Sequence, residues 1–174
     1  ADAVPDNNRD LLIGGAGTDS IYGGDDADTI YGGAGSDSVL GGVDDDVIHG
    51  DDGTNPSTGA DLGDSLVGGQ GRDTIFGGAG NDTISGDDSL AGTHNAPDDG
   101  TDLDTENNRD LLNGGEGDDL ILGGDDDDTL NGDAGNDDLR GGLDDDLLNG
   151  GAGNDGLMGE EGNDVLNGDA GNDT

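Results

Sequence analysis

A large aliphatic residue recurs every nine positions, flanked by small, polar or aromatic neighbours and followed by a glycine- and aspartate-rich stretch. Leu12, Ile21, Ile30, Val39 and Ile48 open the series, Leu66, Ile75 and Ile84 continue it, and Leu112, Ile121, Leu130, Leu139, Leu148, Leu157 and Leu166 complete it. No apolar period of 3.6 residues is present and glycine recurs too densely for helices. Triplets such as Thr29-Ile30-Tyr31 and Ser38-Val39-Leu40 predict three-residue strands, the middle side chain facing inward and its neighbours outward. The six residues between triplets predict a tight turn, because glycine accepts positive φ and close backbone approach. Two such units make a coil of 18 residues with a strand on each side. Stacked coils give an all-β, parallel β-roll (a β-solenoid) whose two sheets share one thin core, the ladder of aliphatic residues.

Written out, the repeat is Gly14-Gly15-Ala16-Gly17-Thr18-Asp19-Ser20-Ile21-Tyr22, and again Gly77-Gly78-Ala79-Gly80-Asn81-Asp82-Thr83-Ile84-Ser85. Full copies begin at Gly14, Gly23, Gly32, Gly41, Gly68, Gly77, Gly114, Gly123, Gly132, Gly141, Gly150 and Gly159. A short fixed period of this kind sets the whole architecture. Glycine is lost at the second position at Asp51, Asp87, Asp133, Glu160 and Asp169, and at the fourth at Asp26, Asp44, Asp126 and Asp144. Within each pair of fourth-position aspartates the separation is 18 residues, which would load one side of the roll with extra acid, although Gly80 and Gly162 break the pattern.

Two arrays are expected. The first covers 1–85, with a degenerate turn or surface bulge at 50–63 that includes Pro56; the second covers 106–174. Asp6-Asn7-Asn8-Arg9-Asp10-Leu11-Leu12 is nearly repeated by Glu106-Asn107-Asn108-Arg109-Asp110-Leu111-Leu112, a duplication offset by 100 residues. The segment 86–105, with Pro97, is one residue off the period and reads as a linker or surface loop.

Composition changes the picture of stability. Net charge is −40, hydrophobic content 27% and aromatic content 2%, a balance associated with disorder. The regular aliphatic residue argues against a merely solvated tract, so an outside agent must stabilise the roll. The chain has 44 acidic residues against four arginines, Arg9, Arg72, Arg109 and Arg140. This excludes nucleic acid, which needs a cationic surface, and argues against anionic membranes. Without cysteine there is no disulfide scaffold or thiolate metal site. No stretch is long and apolar enough for membrane insertion. Ala1-Asp2-Ala3-Val4-Pro5 is neither basic nor apolar, so no signal peptide is expected.

One carboxylate per period falls at the end of each turn. Coil stacking sets successive ones about 4.8 Å apart, where two unit charges repel by roughly 3–4 kcal/mol at an effective dielectric of 20. A cation between coils reverses that sign. Carboxylates with backbone carbonyls form hard-oxygen ligation, which favours Ca²⁺ over metals that prefer thiolate or imidazole, and over Mg²⁺ with its strict octahedron. The expected ligands are Asp19, Asp28, Asp37, Asp46, Asp73, Asp82, Asp119, Asp128, Asp137, Asp146, Asp155 and Asp164, with Asp10, Asp64, Asp110 and Asp173 at the half-repeats. The expected load is multiple ions, about one per nonapeptide, with metal binding and folding a single event.

Other signals are weaker. Asp98 to Glu106 faintly resembles an EF-hand loop, but the twelfth position from Asp102 is Asn113 where glutamate is needed. His49 and His94 read as surface residues. Tyr22, Tyr31 and Phe76 hold the outward ninth position, either packed on neighbouring strands or forming a small sticky patch. Strand threonines Thr29, Thr74, Thr83 and Thr129 are too scattered for a flat ice-binding face. No nucleophile elbow or H-E-x-x-H motif is present, so the chain is not expected to be an enzyme.

The twelve G-G-x-G-x-D-x-U-x copies, U being the aliphatic residue, resemble the RTX (repeats-in-toxin), haemolysin-type calcium-binding family. The resemblance implies a right-handed parallel β-roll with Ca²⁺ held between turns by the motif aspartates and loop carbonyls. It also implies a bacterial protein that stays unfolded in low-calcium cytosol, leaves by type I secretion and folds outside, secreted or at the cell surface. The C-terminal secretion signal expected of the family is not evident. Two roles follow as expectations: an extracellular structural or adhesive module, or the calcium-dependent folding and secretion tail of a larger toxin or hydrolase. The array opens on a half-repeat and stops mid-repeat, so end-to-end self-association through strand edges is a further expectation.

Overall fold

The computed structural model describes residues 9–51, 62–86 and 109–174. These form β-strands and turns, with no helix among the described residues. The strands are β1 (Leu11–Ala16), β2 (Ser20–Gly24), β3 (Thr29–Ala34), β4 (Ser38–Val43), β5 (Val47–His49), β6 (Ser65–Gln70), β7 (Thr74–Ala79) and β8 (Thr83–Ser85). They continue as β9 (Leu111–Glu116), β10 (Leu120–Gly124), β11 (Thr129–Ala134), β12 (Asp138–Leu143), β13 (Leu147–Ala152), β14 (Gly156–Glu161) and β15 (Val165–Ala170). Odd-numbered strands make one eight-stranded parallel sheet and even-numbered strands a seven-stranded one, each strand pairing with the next but one. This is the β-solenoid of about seven turns that the nine-residue period predicts.

Register follows the repeat. Ile30 lies beside Leu12, and Leu130 beside Leu112, one 18-residue coil apart. Around the first irregular stretch the offset grows to 27 residues, so that Ile48 pairs with Ile75 and Val39 with Leu66. Across 87–108 it becomes 37, and Ile75 meets Leu112. Both sheets therefore run without interruption from the first array into the second. Apart from Gly86, the expected linker 86–105 lies outside the described residues, as do His94, Pro56 and Asp87.

The core is the aliphatic ladder. Ile30, Ile48, Leu66, Ile75, Ile84, Leu112, Ile121, Leu130, Leu139 and Leu148 are completely buried, Val39 and Leu157 nearly so, and Leu12 and Ile21 pack against them. Leu166 departs from expectation: it is 45% exposed, because β15 is the outermost strand of its sheet. Val67, an outward position, is buried.

The strands are longer than the triplets suggested. Most run six residues, x-U-x-G-G-x, so the glycine pair belongs to the ladder, as the pairings Gly15↔Gly33 and Gly124↔Gly142 show. The turn shrinks to the three residues ending in the motif aspartate. Glycine reads as a turn former in sequence, yet here it serves close stacking: a Cβ on Gly33, at φ +118°, would stand 1.9 Å from the Gly15 carbonyl oxygen. Where an acidic residue replaces glycine it still takes a left-handed conformation, with φ 77° at Asp26, 76° at Asp126 and 72° at Glu160.

Candidate metal centres

Each turn delivers its aspartate just before the next strand, and solenoid stacking sorts these residues into two rows. Asp10, Asp28, Asp46, Asp73, Asp110, Asp128, Asp146 and Asp164 precede the odd-numbered strands. Asp19, Asp37, Asp64, Asp82, Asp119, Asp137, Asp155 and Asp173 precede the even-numbered ones or close the chain on that edge. All sixteen sequence-predicted residues thus fall into two rows, one on each edge of the roll. Within a row each carboxylate accepts, through Oδ1, the backbone N–H of the preceding aspartate. Asp28 N–H donates to Asp46 at 2.7 Å, Asp73 to Asp110 at 2.7 Å, and Asp137 to Asp155 at 3.0 Å. The 27- and 37-residue detours leave this relay intact.

The second carboxylate oxygen has no such use. In Asp19, Asp28, Asp37, Asp46, Asp73, Asp82, Asp119, Asp128, Asp137, Asp146 and Asp155 the Oδ2 atom is buried without a hydrogen-bond partner. A single orphaned oxygen of this kind costs several tenths of the stability of a small domain; eleven in register call for a common explanation. Each points into a cradle at the first glycine of its own repeat. A Cβ at Gly23 would lie 2.6 Å from Asp28 Oδ2 and 2.5 Å from the Gly41 carbonyl of the next coil, so both oxygens line one small space. The same pair recurs at Gly32 with Asp37 and Gly50, and at Gly132 with Asp137 and Gly150. Among the described residues no three His, Cys, Asp or Glu side chains converge. Further donors at these cradles would be backbone carbonyls. A buried carboxylate oxygen facing a carbonyl suits a hard divalent cation and no softer metal.

Electrostatics point the same way. Burial, chiefly, pushes the carboxyl of Asp128 up to about 9 and that of Asp82 to about 8; hydrogen bonds from Asp110 and Asp64 pull back, and neighbouring carboxylates add to the rise. Burial likewise lifts Asp73 and Asp146 to about 7, and Asp46 and Asp119 to about 6. Asp137 moves in the same direction for the same reason. Without a counter-cation these groups resist ionisation where ordinary aspartates are fully charged.

The two edges differ. Asp26, Asp44, Asp126 and Asp144 all lie in turns that lead into odd-numbered strands, so that edge carries the extra acid. Three of the four arginines, Arg9, Arg72 and Arg109, occupy the fifth motif position on the same edge. Arg109 pairs with Asp127, and Arg72 N–H donates to Asp45 at 3.0 Å. The fifth position forms a ladder on both edges that the sequence reading missed. On this edge Asp145 N–H donates to Asp127, and Asn163 donates to Asp145 through backbone and side chain; on the opposite edge the ladder runs through asparagines. Asn136 donates to Asp118 through backbone and side chain, Asn154 to Asn136 and Asn172 to Asn154, at 2.8–3.2 Å. The Asn136 bonds hold the exposed Asp118 carboxyl below its ordinary value. The signal was present, since Asn136, Asn154 and Asn172 are spaced by one coil.

The outward ninth positions also form columns. On the eight-stranded sheet Tyr31, His49 and Phe76 stack with ring centroids 4.7 and 4.8 Å apart. His49, read as a surface residue, lies on the outer face and is half-buried between two rings, which lowers its pKa through desolvation. Tyr22 lies on the other sheet, 60% exposed. Beyond Phe76 the column becomes Asn113, Asn131, Asn149 and Asn167, each later amide donating to the one before at 2.8–2.9 Å.

A family model described as the RTX calcium-binding nonapeptide repeat (4 copies) matches residues 6–39, 22–55, 58–90, 104–139 and 140–174, which is most of the chain. No curated protein matches it.

Proposed function

We propose, from the premise that the chain belongs to the RTX calcium-binding nonapeptide repeat family, that its sixteen row aspartates, Asp10 to Asp173, are the side-chain ligands of Ca²⁺ ions held between coils. Membership already makes it a calcium-binding β-roll and a structural fold rather than a typically catalytic one. The eleven buried, partnerless Oδ2 atoms carry the finer reading. Ca²⁺ at each cradle would supply the missing partner, offset the repulsion along each row and join one coil to the next. About one ion per repeat is the expected load, and folding would then be conditional on calcium. We further infer a bacterial, secreted or cell-surface setting, where calcium is plentiful, and a structural or adhesive role there. The residues 1–85 and 106–174 act as two duplicated arrays joined through 86–105. The runner-up is a calcium-dependent folding and type I secretion module for a larger toxin or hydrolase. End-to-end stacking belongs to the first reading, through the backbone edges of the outermost strands β1 and β15.

Crystals grown with Ca²⁺ and measured at long wavelength test the ligand assignment. Anomalous density is expected in two rows, about 2.3–2.6 Å from the Oδ2 atoms. Density confined to the exposed Asp44–Asp45 or Asp144–Asp145 turns, with the cradles dry, would contradict it.

A further inference from the structure

The two columns of side chains that flank the core ladder on the eight-stranded sheet carry none of the charge that dominates the rest of the molecule; the carboxylates on these strands, Glu116, Asp133 and Asp169, stand at the glycine-pair end, towards one edge. On each of its eight strands two side chains flank the ladder residue, and not one of these sixteen is a carboxylate or a guanidinium, although 28% of the chain is charged. The seven-stranded sheet differs, because Asp138 and Arg140 stand on the corresponding columns of β12 and pair with each other. These uncharged columns also carry large exposed apolar side chains. Leu11 and Ile13 are 65% exposed, Leu111 38% and Phe76 37%. Its polar members are already satisfied in part by one another through the asparagine column. An amide bonded to its neighbour costs less to bury than a free one.

We propose that this face is the interface between two copies of the chain, packed sheet on sheet. Eight strands at about 4.8 Å spacing and two columns of side chains span about 34 by 14 Å, close to 500 Å² on each partner. Doubled, that reaches about 1,000 Å², the lower bound for a specific interface, and fits a weak dimer better than a large heterologous complex. Two flat sheets pack about 10 Å apart, with the acidic edges of both copies left outside in solvent. A second copy matches the two flanking columns in charge, its own being equally neutral, and in their spacing. At net charge −40 the copies repel unless the edge rows are neutralised, so association requires the calcium-filled roll; in this respect it rests on the function proposed above.

Sedimentation velocity of the full chain in excess Ca²⁺, from about 5 to 500 µM, tests it, with far-UV circular dichroism on the same samples to separate loss of the fold from loss of the interface. The wild type is expected to move from monomer to a compact dimer. Thr74→Glu with Thr129→Glu, on the face, should remain monomeric with an unchanged dichroism spectrum, whereas Ser38→Glu on the opposite sheet should dimerise normally. A folded wild type that stays monomeric throughout overturns the proposal. So do face variants that dimerise like the wild type, or elongated oligomers indifferent to these substitutions.

Discussion

Replacing Asp128 by asparagine should change stability in opposite directions with and without calcium. Asp128 is 2% exposed. Its Oδ1 accepts the Asp110 N–H at 2.8 Å, and its own N–H donates to Asp146 at 2.9 Å. Asparagine keeps the shape and can keep the Oδ1 bond, so the substitution mainly removes a charge and the free Oδ2. In the metal-free roll burial lifts the Asp128 carboxyl to about 9, so at neutral pH the fold must hold a proton that the unfolded chain releases, which costs roughly 4 kcal/mol; asparagine needs no such proton. Asp128→Asn should therefore stabilise that state at neutral pH by a few kcal/mol. In saturating calcium the same change leaves a bound cation short of a buried carboxylate and should destabilise by about 3–5 kcal/mol. Urea midpoints followed by β-sheet dichroism would read both signs, once in calcium and once in chelator with trimethylamine oxide to populate the roll. Destabilisation in both conditions would reduce the aspartate to a hydrogen-bonding role and refute the reasoning; no effect in calcium would do the same.

Gly23→Ala places a methyl 2.6 Å from Asp28 Oδ2, whereas Gly24→Ala meets nothing within 4 Å and bears only the strain of φ +119°. Both should lose about 1–3 kcal/mol of stability, but calcium titration should show weakened binding for Gly23→Ala alone. The raised carboxyls set a pH dependence whose sign is fixed. Between the ordinary value of 3.8 and folded values of about 6 at Asp46, 7 at Asp73 and 9 at Asp128, the metal-free fold holds protons that the unfolded chain has released. Its stability is therefore greatest at low pH and is lost as pH rises through that window. Dichroism in chelator should gain β-signal on acidification from about pH 8.5 to 5.5, while the calcium needed for half-folding rises because protons compete for the same oxygens. Ile75→Ala, at a completely buried position beside both detours, should cost about 2–5 kcal/mol by urea unfolding in calcium.

The aspartate rows and the aliphatic ladder were legible because one period places both: a residue that recurs every nine positions must recur at one height on alternate sides of a coil. The role of the glycine pair was not. Gly32 and Gly33 read as a turn, and only the close carbonyls of neighbouring coils show that they extend the strands. The Tyr31–His49–Phe76 stack was hidden by register, since His49 meets Phe76 through the 27-residue offset that no local pattern announces. The asparagine columns repeat with the coil and could have been found by aligning the chain at 18 rather than nine residues. Leu166 obeys the pattern in sequence yet lacks cover, because burial depends on a neighbouring strand and not on the residue itself.

Far-UV circular dichroism during a calcium titration, with magnesium as the control, most directly tests whether cations hold the coils together. A coil spectrum in chelator, a β-rich spectrum with calcium, little response to magnesium and full reversal by chelator are expected. A β-rich spectrum that persists in excess chelator at neutral pH would show that the buried aspartate rows need no cation, and would contradict the central claim.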